Sequence, residues 1–416
     1  MSEVAQFADR QTGNATAPGA CGPLSGIKVL DLSAYHAGPY GCTMLADMGA
    51  EVIKIESPDG DNARRYPSSL ASEARGLLGS NRSKRGLVLN LKLEAGRAVL
   101  HRLVSDADVL VHNFRPSVPA RLGLDYEQLS GINPRIIVCA VTGYGEAGPL
   151  KGKPGYDQVL QAMTGICASQ GRGGPPQIVY GSAVDYYAAA QVAMGVSAAL
   201  YHRQISGTGQ YVGVSLLRAA LTMQSMRLIW ADGEPRDIPR DMHSGGITGL
   251  HPTKQGHLYL SANTPHFWRS LCELVGLPEM AQDSRFDTIR KRAEQIDVIV
   301  PRLREALAAK TALEWEETFG TSVPCAAVRP VEDMFDHPQV LAQDLIAEVE
   351  HPRVGRYKCL QNPIHFSSTP CRKPYAAPLL GQHSQEILDQ AGYSADEIAG
   401  LLKQEAVIAD QKEALS

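Results

Sequence analysis

No Cys-x-x-Cys pair occurs in this sequence: its eight cysteines stand far apart, at 21, 42, 139, 167, 272, 325, 359 and 371. A disulfide framework or a structural zinc site needs closer, repeated spacing, so the thiols read as buried groups of a reducing compartment. No apolar run approaches the ~18 residues that a membrane span requires. The first 22 residues, MSEVAQFADRQTGNATAPGACG, carry acids early and lack the apolar stretch of a signal peptide; they read as a flexible polar leader on a cytoplasmic protein. Neither sign of charge dominates, with 40 basic against 44 acidic side chains and a net charge of −4, which argues against a general nucleic-acid or anionic-membrane binder. Aromatics make up only 6%, and 39 glycines and 26 prolines are close to average usage, which excludes collagen-like and low-complexity chains. Walker A, His-Glu-x-x-His and Gly-x-Ser-x-Gly patterns are all missing.

What is present is enough for two or three domains, since 416 residues exceed the roughly 100–200 of one domain. In the first half, IKVLDLS (27–33), EVIKIES (51–57), DVLVHNF (108–114) and RIIVCAVT (135–142) are apolar, β-branched runs separated by helical patterns. Near-continuous apolar strands alternating with helices predict an α/β fold: a Rossmann-like, doubly wound parallel sheet with helices on both faces. DYYAAAQVAMGVSAALYHRQ (185–204) predicts a buried helix, followed by turn, strand and helix in SGTGQYVGVSLLRAALTM. Asp, Gly, Pro, His and Ser accumulate over 232–256 and mark a boundary with a mobile loop. The expected organisation is a leader over 1–22, a large Rossmann-like domain over 23–228, a smaller α+β domain with its linkers over 229–335, and a segment over 336–416 that returns to the large domain.

Three features could carry chemistry. GYGEAG (143–148) matches Gly-x-Gly-x-x-Gly after a predicted strand, but Pro149, Gly152, Pro154 and Gly155 follow at once. They prevent the helix whose N-terminus a pyrophosphate needs, so no dinucleotide site is expected. From Arg64 to Arg121 eleven Arg and Lys face four Asp and Glu, an excess that is either a solvated basic face or a cradle for a compact polyphosphate. Finally, Asp157 lies early in one predicted helix and Asp185 at the start of another. Capping of free backbone N–H groups accounts for such residues. Equally, a helix dipole and local donors keep a carboxylate ionised there and available as a nucleophile. Spacing leaves both readings open.

Several longer segments, in order, carry a resemblance: PLSGIKVLDLSAYHAGPYGCTMLADMGAEVIKIESPDGD, NRSKRGLVLNLK, DVLVHNFRP, INPRIIVCAVTGYGEAGP, PGYDQVLQAMTG, the Asp185 segment, ISGTGQYVGVSLLRAAL and the later VPCAAVRPVEDMFDHPQV. Together they resemble the class III CoA-transferase family of the CaiB/BaiF type, which includes formyl-CoA:oxalate and carnitine CoA-transferases and the related α-methylacyl-CoA racemases. The resemblance implies that Asp185 is the nucleophile. It implies a coenzyme A site made by Arg64, Leu89 to Lys92, Asn113, Phe114, Arg115 and Arg121, with Tyr156 and Asp157 lining the pantetheine channel. CoA or acyl-CoA is then a substrate, and no metal or prosthetic group is implied. His36, with Ala37 after the first strand, matches a position near the acyl group; a histidine that caps local backbone is the alternative. Gly245 and Gly246 match the family's glycine loop that closes over the aspartate. Family members are interlocked homodimers, and the same is expected here.

The implied reaction is CoA transfer from an acyl-CoA to a carboxylic acid through an aspartyl-CoA thioester. The racemase branch supplies a histidine where this chain has Tyr156, and a phenol with a reference pKa of about 10 is a poor base near neutrality. Intramolecular CoA transfer uses the same aspartate and stays open; a catalytically silent CoA-binding protein is the alternative outside enzymes. Tyr35, His36 and the 235–250 loop are expected around the acyl group, for which a small dicarboxylate is favoured.

Overall fold

In a computed structural model of the chain, residues 21–70, 72–171, 174–235 and 247–410 are described. Contacts gather them into two compact units, one running to Ser225 and resuming at Gln339, the other Met226–Pro338.

The larger unit is built on a seven-stranded sheet. Its strands are β1 (Lys28–Asp31), β2 (Glu51–Glu56), β3 (Lys84–Leu89), β4 (Val109–His112), β5 (Ile137–Thr142) and β6 (Tyr211–Ser215), joined at one edge by β12 (Val407–Ile408). The order is β12-β3-β2-β1-β4-β5-β6. All neighbours are parallel except β12, which runs antiparallel to β3. The 3-2-1-4-5-6 run is the doubly wound order, so the expected fold class holds, with an antiparallel edge strand that the sequence reading lacked. The strands read as continuous apolar runs because both faces are covered. Val29, Val109, Val111, Ile137, Cys139 and Val141 point into one core with helices α1 (Ala37–Asp47) and α5 (Ala183–Ser206), while Leu30, Leu110 and Val138 point into another with α3 (Glu94–Val104). Close packing of α1 on α5 requires Gly41, where a Cβ would stand 2.7 Å from Val192.

Strand β3 carried no strand signal because it opens on Lys84 and Arg85, yet Lys84 is fully buried and donates to Asp31 at 2.8 Å. Three further helices position the site: α2 (Arg75–Asn81), α4 (Asp157–Met163) and α6 (Leu216–Thr222). No helix follows GYGEAG before α4, as the proline and glycine run predicted. Near the C-terminus β10 (Ile346–His351) and β11 (Gly355–Leu360) form an antiparallel hairpin.

The smaller unit is α+β. Strands β7 (Gly249–Pro252), β8 (His257–Leu260) and β9 (Cys325–Ala327) form an antiparallel sheet in the order β7-β8-β9, and Trp268, Leu271, Phe286, Leu303, Trp315 and Phe319 fill its own core. Among the described residues no helix is long and apolar enough to cross a membrane, and no cluster of His, Cys, Asp or Glu could hold a metal ion.

Candidate active site

In a doubly wound sheet the crevice opens outside the carboxyl ends of the strands where the order reverses, here between β1 and β4. The loops that leave these two strands are tied together there: Asn113 accepts the Ala34 N–H at 3.0 Å and donates to the Ala34 carbonyl at 2.7 Å. Cavities open on both sides of this seam, and Ala34 and Phe114 line both. The larger, about 480 Å³, is walled by the loop after β2, by Leu89 to Lys92 after β3, and by Arg121. The smaller, about 260 Å³, is walled by Tyr35, His36, Ala37, Asn113, Arg115, Tyr156 and Asp185.

Asp185 is the third residue of α5, but it does not cap it. Ser182, the N-cap, makes no side-chain capping bond; the cap comes from Asp157, whose Oδ2 accepts the N–H of Val184 at 2.7 Å and of Asp185 at 3.0 Å. Gln161 donates to the other oxygen of Asp157 and to the Val179 carbonyl, and accepts the Val179 N–H. The first-turn donors expected to keep Asp185 ionised are therefore already used. Burial, together with the Asp157 charge, pushes the Asp185 carboxyl up to about 7. No basic side chain pairs with it among the described residues. The sequence expectation of a carboxylate held ionised by its own helix is corrected accordingly. Asp157 itself is buried and absent from the cavity walls; its side chain holds the helix that carries Asp185.

Part of the basic excess of residues 64–121 is neither a solvated face nor a ligand cradle. Arg64 forks onto Glu56 at 2.8 and 2.7 Å and donates to the Pro378 carbonyl at 3.1 Å, so the structure does not bring its guanidinium into either cavity wall. Arg82 pairs with Asp47 and Lys84 with Asp31 in the interior, and Arg85 pairs with Glu51 and Glu386. Arg65, Arg75, Arg97 and Arg102 bond only to backbone carbonyls or to Ser69. Lys92, Arg115 and Arg121 likewise make no ion pair with any described residue, and these three line the two cavities. Sequence reading missed Lys151 and Lys153, which line the smaller cavity. Their signal was the Lys-Gly-Lys-Pro run directly after the strand and its glycine turn.

The loop after β1 is held in an unfavourable backbone state. Tyr35 has φ +69°, a region that costs a bulky residue on the order of 1–3 kcal/mol. Asp61 holds it there, accepting the Tyr35 N–H at 3.0 Å while paired to buried Lys54 at 2.8 Å, and Lys54 also donates to the Ser33 carbonyl. Burial would raise the Asp61 carboxyl, but Lys54 and these donors bring it below its ordinary value. Tyr35 meets Tyr156 edge-on at 5.8 Å. His36 is the N-cap residue of α1 with no side-chain cap bond, so the backbone-capping alternative is not what the ring does: its Nδ1 lies 3.2 Å from Ser80 Oγ. Burial lowers its pKa, outweighing the opposing charges of Asp61 and Asp157, and the imidazole is neutral at neutral pH. Gly245 and Gly246 lie outside the described residues.

Against known proteins, the family described as CoA-transferase family III matches residues 24–384. A succinate–glutarate CoA-transferase of Agrobacterium fabrum is 33% identical over 387 residues, covering 88% of this chain and 95% of its own. An acetyl-CoA:oxalate CoA-transferase of Acetobacter aceti is 34% identical over 367 residues, covering 86% of this chain and 93% of its own. Among solved structures, a CAIB/BAIF family protein from Brucella suis superimposes with a TM-score of 0.78 at 28% identity, covering 89% of this chain and all of that one.

Proposed function

The chain belongs to CoA-transferase family III, and from that premise we propose that it moves CoA from an acyl-CoA to a carboxylic acid through a covalent intermediate on Asp185. The supporting observation is that one half-buried carboxylate without a counter-cation lines a small cavity next to a larger one walled by unpaired Lys92 and Arg121. Coenzyme A suits that division. Lys92 and Arg121 would hold its phosphates by charge-assisted bonds, the chain would pass Ala34 and Phe114, and the thioester would reach Asp185.

The Asp185 carboxylate attacks the donor's carbonyl carbon, the C–S bond breaks, and CoA leaves as thiolate from a mixed anhydride. The thiolate then attacks the Asp185 carbonyl carbon, releasing the donor as a free acid and leaving an aspartyl-CoA thioester. An acceptor carboxylate attacks that thioester and expels the thiolate again. The thiolate attacks the acyl carbon of the new anhydride, which frees Asp185 and the product acyl-CoA. Two thioester exchanges conserve the bond energy, and covalent catalysis divides one hard exchange into easier steps. A carboxylate poised near pH 7 by burial is a stronger nucleophile than a solvated one. Tyr156, a phenol in the wall of the same cavity, is a poor base and disfavours proton abstraction beside the thioester.

Because the A. fabrum relative is named for succinate and glutarate, and because Arg115, Lys151 and Lys153 add positive charge to the smaller cavity, we take a short dicarboxylate as the acyl group. The same reading makes the enzyme a homodimer. Met194, Tyr201 and Ile205 on α5 are 68–72% exposed, and a second copy would cover them. The deciding experiment incubates the protein with acyl-CoAs and weighs it intact: a CoA-sized adduct mapped to Asp185, absent in Asp185→Ala and discharged by one dicarboxylate, is expected. Wash-in of deuterium at the α-carbon with no adduct would overturn the proposal.

A further inference from the structure

We infer that helix α2 selects the acyl group through His36: Gly76 leaves the space and Ser80 supplies the hydrogen bond that seat the imidazole in the cavity wall, where it favours acyl chains ending in a hydrogen-bond acceptor over chains ending in methyl. The inference rests on the proposed use of the smaller cavity for the acyl group.

The seat is specific. A Cβ at Gly76 would stand 2.8 Å from His36 Cε1 and 3.5 Å from Nε2, closer than carbon atoms pack. The ring therefore lies against bare backbone, and only glycine at 76 permits its position. On the other side Nδ1 meets Ser80 Oγ at 3.2 Å. Ser80 is 1% exposed, and its carbonyl accepts both the Thr43 hydroxyl at 2.7 Å and Lys84 at 3.0 Å, so the residue is fixed in place. The Tyr66 ring lies tilted against the imidazole at a centroid distance of 6.0 Å. A neutral imidazole carries one N–H. When the Ser80 hydroxyl donates to Nδ1, that N–H is on Nε2, free for an acceptor on the ligand. A site built to bond a polar substrate group rejects the analogue lacking it, because its own group is then left unpaired.

The same helix contains its own control. At Gly79 an added Cβ meets nothing within 4 Å. Alanine raises helix propensity there, so Gly79→Ala changes the same helix without reaching the ring, and a loss of overall packing from Gly76→Ala would slow both thioesters alike.

Succinyl-CoA and butyryl-CoA have equal chain length and differ in a terminal carboxylate against a methyl. Rates of adduct formation on Asp185 would be read by quenched intact mass spectrometry for the wild-type enzyme, Gly76→Ala, Ser80→Ala and Gly79→Ala, together with melting temperatures. Wild type is expected to react with succinyl-CoA at least about tenfold faster than with butyryl-CoA. Gly76→Ala and Ser80→Ala should cut that ratio by about tenfold through the succinyl rate alone, while Gly79→Ala leaves it unchanged. A parallel fall of both rates, an unaltered ratio, or a wild type that does not discriminate would overturn the inference. If neither thioester gives an Asp185 adduct in wild type, the proposed function fails along with it; an adduct with an unaltered ratio sinks only the role of α2.

Discussion

Asp31 and Asp61 share the interior of the large unit with two lysines, whereas Asp157 and Asp185 meet no cation among the described residues. Burial would raise the Asp31 carboxyl, but Lys84 and Lys54 bring it down to about 2, and Lys84 also satisfies the carbonyls of Pro39 and Ser80. In the second pair, backbone donors and Gln161 satisfy Asp157 alone, and Asp185 is left raised to about 7. The same residue type thus builds the fold where its charge is matched and is available for chemistry where it is not. The buried ion pairs hold the β1 loop and β3 in place. The unmatched carboxylate sits on the cavity wall that those elements shape.

That contrast can be broken most decisively at the nucleophile. Asp185→Ala should lower turnover by ~10⁴-fold or more and abolish the covalent adduct, with circular dichroism unchanged. Next in size, Lys84→Met leaves Asp31 buried without its ion-pair partner and should cost about 3–5 kcal/mol of stability in urea unfolding, an effect on folding before any on chemistry.

A smaller effect has the opposite sign. Folding raises the Asp185 pKa from its ordinary value near 4 to about 7, so between those values the native protein holds a proton that the unfolded chain has lost, and stability falls as pH rises through that window. Asp185→Asn should therefore stabilise the protein at pH 8 by on the order of 1–3 kcal/mol, a gain that shrinks toward zero by about pH 4. The same ionisation should place the acid limb of kcat/KM near pH 7. Smallest is a split within the basic segment: Arg121→Gln should raise KM for acyl-CoA by about tenfold with kcat unchanged. Arg64→Gln, which removes the fork onto Glu56, should lower the melting temperature and leave KM close to wild type.

Hydrophobic periodicity made the parallel strands legible, since β1, β2, β4 and β5 are covered on both faces and need apolar residues throughout. Strand β3 and edge strand β12 escaped notice. The first opens on Lys84 and Arg85, whose charges are neutralised only by partners distant in sequence, and the second is two residues long. At the site, Asp185, His36, Arg115 and Arg121 were all named from sequence, and the structure brings Asp185, His36 and Arg115 to one cavity and Arg121 to the next. Arg64 was named on the same grounds and is spent on Glu56. The Asp61–Lys54 pair that holds Tyr35 had no signal at all, because Asp and Lys seven residues apart across a strand end look like ordinary surface charge.

The sequence alone determined the α/β class, the family, and an aspartate at the head of a long buried helix, because apolar spacing and motif order are local and survive in one dimension. Which carboxylates are neutralised, which arginines are free, and what seats His36 were decided only by the tertiary structure. Ionisation and hydrogen bonding depend on distance and burial, and both are set by how the folded chain packs rather than by spacing along it.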